Sequence, residues 1–212
     1  MTLKHYTFLS ILLLSAFVNL SYLVINYPIN QFDIDASRFV QQHAGAGLDK
    51  FMLFISFFAD SPYIYFSLIL ITAAFFFINK YKREAYFILA VVPCSTIIVL
   101  VKKTINRQRP NSDLVRVVED LETKSFPSSH VFSYTLFFGF IILLMFSVKS
   151  IAKNLRIMLA VISGFFLVLV VPSRIYLGAH WFTDTIGGIL LGSLIILILY
   201  FFYLRENREK GI

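Results

Sequence analysis

SRIYLGAHWFTD, residues 173–184, joins two apolar runs, IMLAVISGFFLVLVV (157–171) and TIGGILLGSLIILILYFFYL (185–204). Each run is close to the ~20 residues that a helix needs to cross a bilayer. An arginine, a histidine and an aspartate at such a junction are costly, and ionisable groups near membrane depth point to function by default.

Four further runs of the same kind precede this pair, so six spans are expected at roughly 6–26, 61–78, 85–102, 130–148, 157–172 and 184–203. Residues 51–59 (FMLFISFFA) are apolar but short for a span. They are expected to dip into the interface or to extend the second helix, because Asp60, Ser61 and Pro62 break the run. The first run is longer than a signal-peptide core, and no small-x-small cleavage site follows it, so an uncleaved helix is expected. Hydrophobic residues make up 58% of the 212 positions and charged ones 15%, which excludes an ordinary soluble domain. The fold class expected is an all-α integral membrane bundle of six transmembrane helices, one domain over residues 1–212.

The formal net charge of +7 needs no nucleic-acid partner. Short cation-dense connections at NKYKRE (79–84) and KSIAKNLR (149–156) account for most of it as orientation signals. They place both termini in the cytoplasm, in a chain expected in a bacterial inner membrane with its polar clusters on the outer or periplasmic face. On that side two segments read as interfacial amphipathic helices. One is NQFDIDASRFVQQH (30–43), with Phe32, Ala36, Phe39, Val40 and His43 on one face. The other is 113–123, with Leu114, Val117, Val118 and Leu121 at helical spacing and a position suited to a lid. Gly188 and Gly192 form a small-xxx-small pair for close packing of a neighbouring helix. Trp181 reads as an interfacial tryptophan. The one cysteine, Cys94, lies in an apolar run and reads as a packing residue.

Three polar clusters fall at outer helix ends: KKTINRQRP (102–110), FPSSH (126–130) and SRIYLGAHWFTD. Together they offer Lys102, Arg109, Arg174, Ser128, Ser129, His130, His180 and Asp184. Three cations converge with no obvious equal set of carboxylates, which asks for an external anion with several charged oxygens. Phosphate fits, because guanidinium forks match its oxygens in pairs. His180 and Asp184 are spaced i, i+4, one face of a helix, so the aspartate can fix the imidazole tautomer and leave the other nitrogen free to attack. His130 can protonate the leaving oxygen. A metal held by His130, His180 and Asp184 is the competing assignment. The adjacent cations would repel a divalent ion, so no metal and no cofactor are expected, and EDTA sensitivity separates the two.

These clusters resemble the three signatures of the type 2 phosphatidic acid phosphatase (PAP2) or lipid phosphate phosphatase superfamily: K-x6-R-P, P-S-G-H and S-R-x5-H-x3-D. Lys102 with Arg109-Pro110 matches the first. Pro127-Ser128-Ser129-His130 matches the second, with Ser129 where the family usually has glycine. Ser173-Arg174, His180 and Asp184 match the third. The resemblance implies a metal-free hydrolase with His180 as nucleophile, Asp184 as its orienting acid and His130 as general acid. Lys102, Arg109, Arg174, Ser128 and the backbone near Ser129 would hold the phosphate. It also implies a membrane lipid phosphate as substrate, of the phosphatidic acid, phosphatidylglycerol phosphate, undecaprenyl pyrophosphate or lipid A type. Phosphotransfer to a hydroxyl, or an inert lipid-binding or transport protein, are the rival functions.

Overall fold

The computed structural model describes residues 3–209, with side chains as far as Arg205. Among the described residues the structure is all helical: α1 (Leu3–Asn26), α2 (Gln31–Val40), α3 (Ala46–Ser56), a 3₁₀ turn (Phe57–Ala59), α4 (Pro62–Ile78), α5 (Lys82–Leu89), α6 (Val91–Cys94), α7 (Ile97–Ile105), α8 (Ser129–Ser147), α9 (Lys153–Tyr176) and α10 (Phe182–Glu209). Five stretches are long and apolar enough to cross a membrane: α1, Lys82–Ile105, α8, α9 and α10 as far as Arg205. The sixth is bent by 66° where Ala46–Ala59 meets α4. The apolar segment 51–59 therefore belongs to an arm set at an angle to the second span.

The third span is three helical pieces for a local reason. Pro93 has no N–H for the carbonyl of Leu89 four residues earlier, and α5 ends at that residue. Asn106 then closes α7 in the left-handed conformation (φ 54°), a position that asparagine tolerates better than most residues.

The central helix is α8, whose buried residues include His130, Phe132, Tyr134, Leu136, Phe140 and Leu144. It packs on both α9 and α10. The approach of α10 depends on small residues: a methyl at Gly188 would lie 2.8 Å from the Ser128 carbonyl oxygen, and one at Gly192 would lie 2.8 Å from Thr135 Cβ. The small-xxx-small pair thus seats α10 against α8, as expected. The large side chains exposed on α1, α4 and α9, such as Phe8, Ile71 and Val168, form the surface for lipid.

Two surface segments differ from expectation. Helix α2 forms, but Asp33, Ile34 and Ser37 are its buried residues while Phe32 and Phe39 stay exposed, and His43 lies beyond its end. The expected helix over 113–123 is absent; the chain there is a strap of turns and irregular backbone. Its backbone groups bond elsewhere instead of to each other. Arg38 Nη2 donates to Leu114 O (3.0 Å), and Gln41 Nε2 donates to Arg116 O (2.7 Å). Val118 N and Glu119 N both donate to Leu177 O (2.9 and 3.2 Å). The helical spacing of Leu114, Val117, Val118 and Leu121 is overridden by these long-range bonds and by packing of Leu114 and Val115 against Ile34 and Trp181.

Gly178 is the point on which the strap closes. Its φ is +68°, and a methyl there would lie 2.2 Å from Arg116 O and 2.8 Å from Val117 Cα. Both backbone conformation and space demand glycine. Gly178→Ala is expected to destabilise the protein by at least about 1–3 kcal/mol. Thermal unfolding in detergent checks this, and an unchanged midpoint would contradict the assignment.

Candidate active site

All three sequence clusters meet at one end of the bundle. His180 is not on a helix: it lies in the bend between α9 and α10, two residues before Phe182 opens α10. The expected helical i, i+4 face is therefore replaced by a helix-start geometry. Asp184 sits in the first turn of α10 and its Oδ2 accepts from Trp181 N (2.9 Å), satisfying one of the free N–H groups of a helix start. The same oxygen lies 3.4 Å from His180 Nδ1. His180 N is anchored to Arg174 O (3.1 Å).

The tautomer of His180 follows from its other neighbour. Nε2 is 3.1 Å from Arg109 Nη1. A guanidinium has no acceptor, so Nε2 must accept and the ring proton belongs on Nδ1, facing Asp184. The ring is only 1% exposed. Burial, then the charges of Arg109, Lys102, Arg174 and His130, push its pKa well below the ordinary 6.5. The result is a neutral imidazole among cations, with its one ring lone pair, on Nε2, turned to Arg109. Arg109 itself is pushed down to about 10 by burial and by Arg174, and so stays charged at neutral pH.

Asp184 is held from several sides. Arg107 Nη1 donates to Oδ1 (2.6 Å), and Ser125 Oγ donates to Oδ2. Arg107 also donates through Nη2 to Asp33 (2.6 Å), through Nη1 to Thr183 Oγ1 (2.7 Å) and through Nε to Pro28 O (2.9 Å). Arg107, Asp33 and Asp184 have no exposed side-chain surface. Sequence reasoning missed Arg107, Asp33 and Ser125. Arg107 stood two residues before the arginine of the first signature, and the exposed look of a polar loop hid its burial.

The cations are placed around this pair. Arg109 bonds Thr123 Oγ1 (2.8 Å) and the carbonyl of Ala179. Lys102 Nζ donates to Lys124 O, just past the strap. Arg174 is fully buried and forms a two-pronged ion pair with Glu119 (2.8 and 3.0 Å). Its Nε has no partner among the described residues. Of the three cations, whose charge no equal set of carboxylates was expected to match, one is paired: Glu119 sits on the Arg174 fork, and a second carboxylate, Asp60, lies 2.8 Å from His130 Nε2. Both come from segments whose position the sequence left open. The Glu119 pair also shows that the Arg174 fork receives a planar pair of anionic oxygens.

Ser128 caps α8, its side chain accepting from Val131 N (3.5 Å), and Ser129 is the first residue of that helix. Ser129 is not among the positive-φ residues, so serine stands there without backbone strain. Trp181 does not face lipid as an interfacial anchor would: it is fully buried and its indole N–H donates to Gln108 O (3.2 Å). That bond ties the loop of the first cluster to the third. No group of three or more His, Cys, Asp or Glu side chains is placed to hold a metal among the described residues.

The neutral state of His180 has a measurable consequence. An unfolded chain takes up the proton below about pH 6.5, whereas the folded chain refuses it until far lower pH. Folded stability is therefore expected to fall as pH drops below about 6.5, until the folded pKa is reached. Histidine ring resonances followed by NMR in detergent micelles should show His180 neutral at pH 6; a midpoint at or above 6.5 would contradict the geometry.

The family model of the PAP2 superfamily matches residues 83–208. Phosphatidylglycerophosphatase B of Bacillus subtilis (strain 168) is 28% identical over 163 residues, which cover 77% of this chain and 76% of that protein. Among solved structures, a transmembrane PAP2-type phosphatidylglycerolphosphate phosphatase from Bacillus subtilis superposes with a TM-score of 0.80 at 24% identity, covering 92% of this chain and 96% of the other. Aquifex aeolicus LpxE superposes with a TM-score of 0.57 at 22% identity, covering 83% and 96%.

Proposed function

The chain belongs to the PAP2 superfamily and is a membrane-embedded lipid phosphatase, and on that premise we propose that it hydrolyses a glycerophospholipid monoester of the phosphatidylglycerol phosphate type through a phosphohistidine. The observation that carries the mechanism is the buried neutral His180, with Nε2 facing Arg109 and Nδ1 facing Asp184. Nε2 attacks phosphorus, the P–N bond forms and the ester P–O bond breaks. His130 gives its proton to the leaving oxygen. Water then attacks phosphorus, loses a proton to His130, and the P–N bond breaks to release phosphate. Lys102, Arg109, Arg174 and the α8 start at Ser128 and Ser129 hold the equatorial oxygens, where charge stabilisation is most effective. The unpartnered Nε of Arg174 offers a donor to that anion.

The substrate class rests on the 28% identity to phosphatidylglycerophosphatase B. A lipid tail also has a place to lie. A groove of about 340 Å³ lined by Phe58, Tyr63, Ile64, Ser67, Leu68 and Ile71 flanks Asp60 in sequence, on the outward side of α4. For orientation, the cation-dense turns 79–84 and 149–156 lie at the bundle end opposite the site. By the positive-inside rule they support a cytoplasmic placement of that end and a site on the outer face.

Phosphate release from mixed micelles in EDTA tests the function. Phosphatidylglycerol phosphate is expected to be the best substrate in a panel with phosphatidic acid, undecaprenyl pyrophosphate and lipid A. A different best lipid overturns the substrate, and loss of activity in EDTA overturns the metal-free mechanism.

A further inference from the structure

Asp60 stands at the break between the arm Ala46–Ala59 and α4. Ser61 caps α4 by accepting from Tyr63 N (3.3 Å), and Pro62 opens the helix, so the chain turns sharply at this residue. The arm is fixed at three points. Ser173 Oγ donates to Met52 O (2.7 Å) and bonds Ser56 Oγ (2.7 Å), while Tyr134 Oη donates to Ile55 O. Ser173 opens the third signature yet makes no contact with His180 or Asp184 in these bonds. Its work is to hold the arm that ends in Asp60.

The carboxylate so placed lies 2.8 Å from His130 Nε2, and the His130 side chain is 10% exposed. An ion pair between exposed groups would contribute little; here one partner is a nearly buried imidazole in the reaction centre. The other charged groups acting on His130 are Arg174 and Glu119. No hydrogen bond of His130 Nδ1 is found among the described residues. The site thus holds two histidine–carboxylate pairs of opposite sense. Asp184 takes Nδ1 of His180 and leaves Nε2, whereas Asp60 takes Nε2 of His130 and leaves Nδ1.

We propose that Asp60 is the positioning residue of the general acid: it fixes the His130 ring through Nε2–H and so makes Nδ1 the nitrogen that delivers and recovers the proton. This rests on His130 being the general acid. In the first step the Nδ1 proton passes to the leaving alkoxide as the ester P–O bond breaks, leaving a neutral Nε2–H tautomer already matched to the carboxylate. In the second step Nδ1 takes the proton of the attacking water, and the imidazolium forms again beside Asp60. Holding one tautomer through both steps is what a carboxylate partner does for a catalytic imidazole.

A general acid matters when the leaving group is a poor one, and this separates positioning from structural support. With phosphatidylglycerol phosphate, whose leaving group is an alkoxide, Asp60→Asn is expected to lower kcat/KM, which reports only the steps up to departure of the leaving group and not the water attack common to all substrates, about 10- to 100-fold, less than full loss of a general acid. With p-nitrophenyl phosphate, whose phenolate leaves unprotonated, the expected loss is below about 3-fold, since little of the general-acid factor is at stake. Asp60→Glu should recover part of the lipid activity. Equal losses on both substrates, or no loss on either in folded protein, overturn the proposal. His130→Asn provides the control. If it shows no leaving-group dependence, His130 is not the general acid and the proposal falls with that assignment. If it shows the dependence while Asp60→Asn behaves as wild type, the Asp60 role alone is overturned.

Discussion

Phosphate release is expected to fall by at least about 10⁴-fold in His180→Ala, as when a nucleophile is removed from a catalytic unit whose other parts remain. The side chain is buried, and removing it leaves Arg109 and Asp184 to be solvated by water in the vacated space, so the protein should still fold. A second measurement makes the test specific. Brief reaction of the wild type with labelled lipid phosphate, followed by quenching in alkali, should trap phosphate on the protein, because a phosphoramidate survives base and is lost in acid. Asp184→Asn should retain the chain fold but give slower formation of that species, because the amide can present an N–H toward Nδ1 and favour the wrong tautomer. Activity in His180→Ala within about tenfold of wild type would mean that the attacking group lies elsewhere, since losing a nucleophile costs far more.

The second large effect concerns Arg107. This guanidinium bridges Asp33 and Asp184, each at 2.6 Å, and neither carboxylate has exposed side-chain surface. Arg107→Ala would leave two buried anions without their cation. Breaking a buried ion pair in this way costs about 3–5 kcal/mol, so the variant is expected to unfold far more readily or to fail to accumulate. Arg107→Lys is the informative companion. An ammonium is a point charge and lacks the planar fork that reaches both carboxylates, Thr183 Oγ1 and Pro28 O together. It should fold with lowered stability and lose about 10²-fold in turnover through displacement of Asp184 and His180. Thermal unfolding and kcat measured on the same preparation check both parts, and full activity in Arg107→Lys would remove Arg107 from the support of the site.

Much of this was legible in the sequence. Long apolar runs define the spans because a bilayer leaves the backbone no partner but its own helix, so composition and length suffice to read them. The residues proposed to hold phosphate were equally legible, because charged groups at membrane depth are too costly to be there by accident. Lys102, Arg109, Arg174, His130, His180 and Asp184 all come to the same end of the bundle. The glycines at 188 and 192 seat α10 on α8 for the simple reason that no side chain fits between them.

Other features were decided only by tertiary contacts. The segment 113–123 has helical spacing but becomes a strap, because α2 and the end of α9 supply better partners for its backbone than its own carbonyls do. Its position then sets Glu119 on Arg174. Trp181 looked like an anchor at the membrane surface and is a buried clamp. His180 and Asp184 meet across a helix start, not along a helix face. Arg107, Asp33 and Asp60 carry no distinctive spacing. Arg107 and Asp33 matter because they are buried beside an opposite charge, and Asp60 because the fold sets its exposed carboxylate against the nearly buried His130 ring; such pairings belong to the assembled chain and no local pattern records them. Sequence determined which chemical groups stand at the rim of the bundle. Tertiary structure determined which of them are paired, which proton sits on which nitrogen, and which donors remain free for phosphate.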